Sequence, residues 1–111
     1  MNREKFKEGM ECFRRGEYFE AHEAWEAIWL KDRHSESGRM LKGLILYAAA
    51  LLKQQQGQPG PAQRMAKSAL EKFKGLDPKT GIRWGLDLKK WETEIEDFLN
   101  TLQTAGGLLD Q

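Results

Sequence analysis

His22 and Glu26 stand four residues apart in the stretch Ala21-His22-Glu23-Ala24-Trp25-Glu26-Ala27-Ile28-Trp29. On a helix, His22, Glu26 and Trp29 fall at i, i+4 and i+7 and share one face, with Trp25 beside them at i+3. An imidazole and a carboxylate within reach of each other can do two kinds of chemistry. They can hold a divalent metal, because the i, i+4 spacing lets both donors face one ion. They can also act as an acid–base pair, because a carboxylate orients an imidazole and favours its protonated form. The order His22-Glu23-x-x-Glu26 lacks the second histidine of the helical zinc motif. The other histidine, His34, lies in a polar connection. A metal at His22 and Glu26 would therefore need ligands from elsewhere, and no serine-centred elbow, Gly-rich phosphate loop or second carboxylate cluster accompanies the pair. The plainer reading is a structural His22–Glu26 pair, since two polar groups on a largely apolar seam must satisfy each other if they are shielded from water.

The other candidate groups read mainly as packing. Cys12 is the single cysteine. It excludes an internal disulfide and Cys-x-x-Cys chemistry, fits a reducing compartment, and on a helix is a small packed side chain. Four tryptophans, Trp25, Trp29, Trp84 and Trp91, could anchor a partner, but in so small a domain most belong to the core. Trp84 is the exception, placed in a connection rather than on a helical stripe. Lys42 and Lys53 are expected to lay their stems on the central helix, or to pair with acids such as Glu26.

Charge narrows the partners. The chain has 111 residues with 18 basic and 17 acidic side chains, a net charge of +1. No face-forming cluster of basic residues appears, so nucleic acid is not an expected partner. The charged N-terminus is not a signal peptide, and the longest apolar run, Gly43 to Leu52, is about half of what a bilayer requires. These features point to the cytoplasm.

The elements that must position these side chains are helices, because the apolar residues recur at the helical period and never alternate as in a strand. A first segment carries Phe6, Met10 and Phe13 and stops at Gly16. A second, from Glu17 to about Lys31, carries Tyr18, Ala21, Trp25 and Ile28. A third, about Gly38 to Gln56, carries Met40, Leu41, Leu44, Ile45, Ala48, Leu51 and Leu52. That spread is too wide for one stripe and marks a central helix. Ser35 or Ser37 can cap it. After the turn Gly57-Gln58-Pro59-Gly60, a fourth segment begins near Pro61, carries Ala62 to Phe73 and stops at Gly75. Leu76 to Gly85 reads as a loop. A fifth helix, capped by Asp87, carries Leu88, Trp91, Ile95, Phe98, Leu99 and Leu102. The expected organisation is one helical domain over 1–103, with a tail at 104–111 that frays at Gly106-Gly107.

A faint internal repeat at an offset of 41 residues aligns Gly16 with Gly57, Phe6 with Tyr47, Met10 with Leu51 and Ala21 with Ala62. Each copy reads as helix, glycine turn, helix, similar to hairpins of the tetratricopeptide kind, though the spacing is too long for that repeat.

The pattern His22-x-x-x-Glu26-x-x-Trp29 resembles the signature of an uncharacterised bacterial and archaeal family, domain of unknown function 309. Gly16-Glu17-Tyr18-Phe19-Glu20-Ala21 is similar to its lead-in, Gly43-Leu44-Ile45 with Ala48-Ala49-Ala50-Leu51 to its central helix, and Gly85-Leu86-Asp87 to its final motif. The resemblance implies a compact helical bundle and carries a suggestion of metal binding at the motif, but no activity. Where members carry Gln or His on the central helix, this chain has Lys42, Leu46, Leu52 and Lys53, which weakens the metal reading.

The expectation is therefore an all-α bundle of about five helices, made of two hairpins around a central third helix. Its expected role is a non-catalytic interaction or small-ligand-binding module whose His22–Glu26 pair is structural. The alternative is a metal-dependent or acid–base enzyme centred on His22 and Glu26, flanked by Glu23, Trp25 and Trp29, with a divalent metal as its cofactor. The partner is expected to be a protein or a small ligand.

Overall fold

Local sequence decides where each helix starts and stops. In the computed structural model, which describes residues 2–109 and side chains through 103, α1 spans Arg3–Arg14 and α2 Tyr18–Trp29. The Asn2 side chain caps α1 by accepting the Lys5 N–H. Helix α3 spans Glu36–Gln55 and is capped by Ser35, whose hydroxyl accepts the Gly38 N–H at 3.0 Å. Helix α4 spans Pro59–Phe73, so it opens two residues before Pro61, with Pro59 at the position where a missing N–H costs nothing. Helix α6 spans Leu88–Leu109, and the Asp87 carboxylate accepts the Lys90 N–H at 3.3 Å.

The segment expected as a loop contains a sixth helix, α5, over Pro78–Arg83. Asp77 caps it, and a Schellman closure ends it: the Leu86 N–H donates to the Gly81 carbonyl at 2.9 Å across Gly85. Proline at the first turn and glycine beyond the last delimit it, but six residues are too few for periodicity to reveal it. The expected tail, 104–111, lies outside the described side chains, and the α6 backbone is helical to Leu109.

The two hairpins close identically. Glu17 N–H donates to the Cys12 carbonyl and Gln58 N–H to the Lys53 carbonyl, both at 2.9 Å. Gly16 and Gly57 take positive φ of 78° and 74°, conformations a β-carbon would penalise. The offset of 41 seen in the sequence is thus a repeated hydrogen-bonding pattern.

Helix α3 is central: it packs on α2 and α4 and touches α5, while α4 also packs on α6. Met40, Leu41, Leu44, Ala48 and Ala50 are fully buried. Small residues let α3 and α4 approach closely; a β-carbon at Gly43 would come within 2.9 Å of the Phe73 ring. Leu51 is only half-buried, at the edge of the core. Among the described residues no helix is long and apolar enough to cross a membrane.

Candidate functional site

The short stretch from Ala21 to Trp29 divides its side chains between two directions. Ala21, Ala24, Trp25 and Ile28 point into the core, and His22, Glu26 and Trp29 lie half-buried on the next face around the helix. His22 Nε2 stands 3.4 Å from a Glu26 carboxylate oxygen, and the side chains are 27% and 40% exposed. The expected same-face pair is therefore present, partly shielded. Glu23, 61% exposed, brings an oxygen to 3.8 Å from His22 Nδ1, too far for a hydrogen bond. Nδ1 is itself buried and has no hydrogen-bond partner.

This geometry bears on metal binding. Glu23 and Glu26 approach opposite nitrogens of one imidazole, so the three groups do not converge on a point. Among the described residues no cluster of three or more His, Cys, Asp or Glu side chains is placed to hold an ion. His22 and Glu26 remain two donors of one helix, with no donor brought to them by a second element among those residues.

The tryptophans part ways. Trp25 does not flank the pair. It is fully buried, its indole N–H donates to the Phe6 carbonyl at 3.2 Å, and its ring lies 5.8 Å from that of Phe13. Trp29 stays with the motif face, and α3 answers it with a cation: the Lys42 ammonium sits 4.3 Å from the centre of the Trp29 ring, and the Arg33 guanidinium 5.8 Å from it. Lys42 thus packs on Trp29 instead of pairing with Glu26, a cation–π contact that ties α2 to α3. Trp84, set apart in the sequence as lying in a connection, packs back onto the bundle. It is 9% exposed, donates to the Ser37 hydroxyl at 3.0 Å and lies 4.8 Å from the Phe6 ring.

Cys12 is buried, and burial raises its thiol pKa above the ordinary value despite the neighbouring Arg15. A thiol held protonated is a poor nucleophile. Tyr47 is likewise pushed well above the normal phenol range, first by burial and then by the Glu94 carboxylate beside its hydroxyl.

Two polar residues of α3 escaped the sequence reading. Glu36 accepts the Asp77 N–H at 2.8 Å and the Thr80 hydroxyl at 2.7 Å, anchoring the start of α5. Arg39 donates to the carbonyls of Glu71, Lys72 and Lys74, covering the exposed end of α4. Their partners lie more than thirty residues away, so no local pattern announces them.

Residues 6–65 match a family described as "Domain of unknown function (DUF309)". The chain is also similar, at 34% identity, to a conserved hypothetical protein from Thermus thermophilus with a solved crystal structure. That likeness covers 85% of this chain and 94% of the other, with a TM-score of 0.71. No curated protein matches the chain.

Proposed function

The chain belongs to the DUF309 family, and from that premise we propose that it is a non-catalytic cytoplasmic binding module, built on tetratricopeptide-like hairpins, in which the His22–Glu26 pair serves the fold. The observation that carries this reading is where the motif's side chains go. Trp25 locks α2 onto α1, Trp29 receives Lys42 from α3, and the imidazole faces carboxylates on opposite edges. Trp25 and Trp29 join α2 to its neighbours, and His22 and Glu26 pair along α2 itself. The chemistry an enzyme would need is a group that reacts, a base that activates it and a stabiliser converging on one point. The motif lies on one helix with its donors diverging, and the cysteine is buried. Concave surface with an aromatic lining occurs elsewhere, between α1 and α6, and suits a module that holds a ligand without transforming it.

Thermal unfolding tests the reading. His22→Ala and Glu26→Ala should each lower Tm, and the double variant should lose less than the sum, with a coupling of about 0.5–1 kcal/mol for a partly exposed pair. Zinc or manganese added to chelator-treated protein should leave Tm unmoved. A true site saturated a hundredfold above its Kd would add about 2.7 kcal/mol, or roughly 10 °C for a domain of this size. A shift of that order, lost in both single variants, would overturn the structural assignment and favour a metal-dependent enzyme.

A further inference from the structure

A cleft of about 390 Å³ opens between the end of α1 and the first turns of α6, in the size range of small-ligand sites. Its apolar wall is Met10, Phe13 and Trp91, with the Phe13 and Trp91 rings 5.4 Å apart. Its charged lining is Arg14, Asp87, Lys90 and Glu94, two cations and two acids.

The two signs are not equally available. Asp87 is occupied as the α6 cap, accepting the Lys90 backbone N–H at 3.3 Å. The Glu94 carboxylate, after burial, helps to raise the Tyr47 pKa. The side chains of Arg14 and Lys90, by contrast, have no partner among the described residues, and neither does the indole N–H of Trp91. That last point sets Trp91 apart from Trp25 and Trp84, whose N–H groups are both satisfied. A ligand entering the cleft meets two unpartnered cations and a free indole N–H beside two exposed carboxylates, set against aromatic rings. Free donors call for an anion. With only two cations, and two acids beside them, the cleft is poorly suited to a polyphosphate, and any anion it takes must be held locally at Arg14 and Lys90. Ring walls call for a flat apolar body.

We propose that this cleft binds a small aromatic monocarboxylate, its ring against Phe13 and Trp91 and its carboxylate held by Arg14 and Lys90. The proposal rests on the binding-module reading and names the ligand class for it.

Calorimetric titration of the full chain with indole-3-carboxylate, with ¹⁵N-resolved NMR to locate the site, tests it. A ligand with about a dozen heavy atoms should bind with Kd on the order of 0.1–1 mM. The shifted amides should fall in 10–14 and 85–94. The uncharged indole-3-carboxamide should bind about tenfold more weakly, as loss of a charge-assisted contact implies. Arg14→Gln and Lys90→Gln, both at exposed positions, should each weaken the acid several-fold, weaken the carboxamide less, and leave Tm unchanged. Three results would overturn the proposal: no saturation by about 10 mM, equal affinity for acid and amide, or unchanged affinity in the doubly substituted protein. Tighter binding of ATP at the same amides would also overturn it, by showing a polyphosphate site. Failure here, with Tm indifferent to metal, removes the ligand class alone. A metal-dependent Tm shift removes the binding-module reading whatever the cleft does.

Discussion

Replacing Gly9 by alanine tests how the motif helix is held. Gly9 lies on α1 where Trp25 of α2 crosses it. A β-carbon there would stand 2.3 Å from Trp25 Nε1, 2.6 Å from Cδ1 and 2.8 Å from Cε2. Ordinary carbon contacts lie at about 3.5–4.0 Å, so the indole would have to retreat by roughly 1 Å. It has nowhere to go: Trp25 is fully buried, with the rings of Phe6 and Phe13 6.3 Å and 5.8 Å away. Retreat would also stretch the 3.2 Å bond from its N–H to the Phe6 carbonyl. Overpacking costs about 1–3 kcal/mol and a strained buried donor about 1–3 kcal/mol, against about 1 kcal/mol gained from helix propensity. The net loss should be about 1–5 kcal/mol. At roughly 4 °C per kcal/mol, Tm should fall by about 4–20 °C while the helical circular dichroism of the folded state persists. Gly60→Ala is the control. It also lies in a helix, but its nearest neighbour is an Arg64 guanidinium nitrogen at 3.7 Å, an ordinary contact. That variant should lose much less than Gly9→Ala, its cost limited to the restriction Pro61 places on a non-glycine residue before it. Equal Tm values for the two variants would refute the close crossing of α1 and α2 at Trp25, and with it the account of why the motif helix is fixed.

Leu44→Ala should cost about 2–5 kcal/mol by chemical denaturation, because the side chain is fully buried on the central helix, and Leu51→Ala distinctly less, because that site is half-buried. Comparable small losses at both would contradict the central placement of α3. The Glu36 pKa is lowered, first by the Asp77 N–H and then by the Thr80 hydroxyl. A depressed folded-state pKa gives stability that is present above the unfolded carboxylate pKa and lost as pH falls through the folded value. Glu36→Gln should therefore lower Tm at pH 7 and flatten its decline below about pH 4, the unfolded range of a glutamate; parallel Tm profiles from about pH 7 to about pH 3 would remove Glu36 from the anchoring of α5.

Much of the candidate site was legible because helical spacing is local information. That His22 and Glu26 share a face follows from about 3.6 residues per turn, whatever surrounds them. The turn at Gly16 and its counterpart at Gly57 were equally plain, since glycine is the residue that accepts the conformation found there. Helix α5 was not legible, because its six residues have no period to detect and its start is anchored by Glu36, forty-one residues upstream of Asp77.

The sequence by itself determined the class of fold, the central rank of α3 and the pairing of the helices into hairpins. Each of these depends on periodicity, apolar width or turn chemistry within a short window. Only the tertiary structure decided what the pattern is for. Trp25 and Trp29, one turn apart on nearly the same side of α2, take different fates because α1 packs against the first and Lys42 of α3 against the second. The cleft joins Phe13 and Arg14 to Trp91, more than seventy residues later in the chain. Which donors remain free there depends on hydrogen bonds made across helices, which no spacing along the chain records.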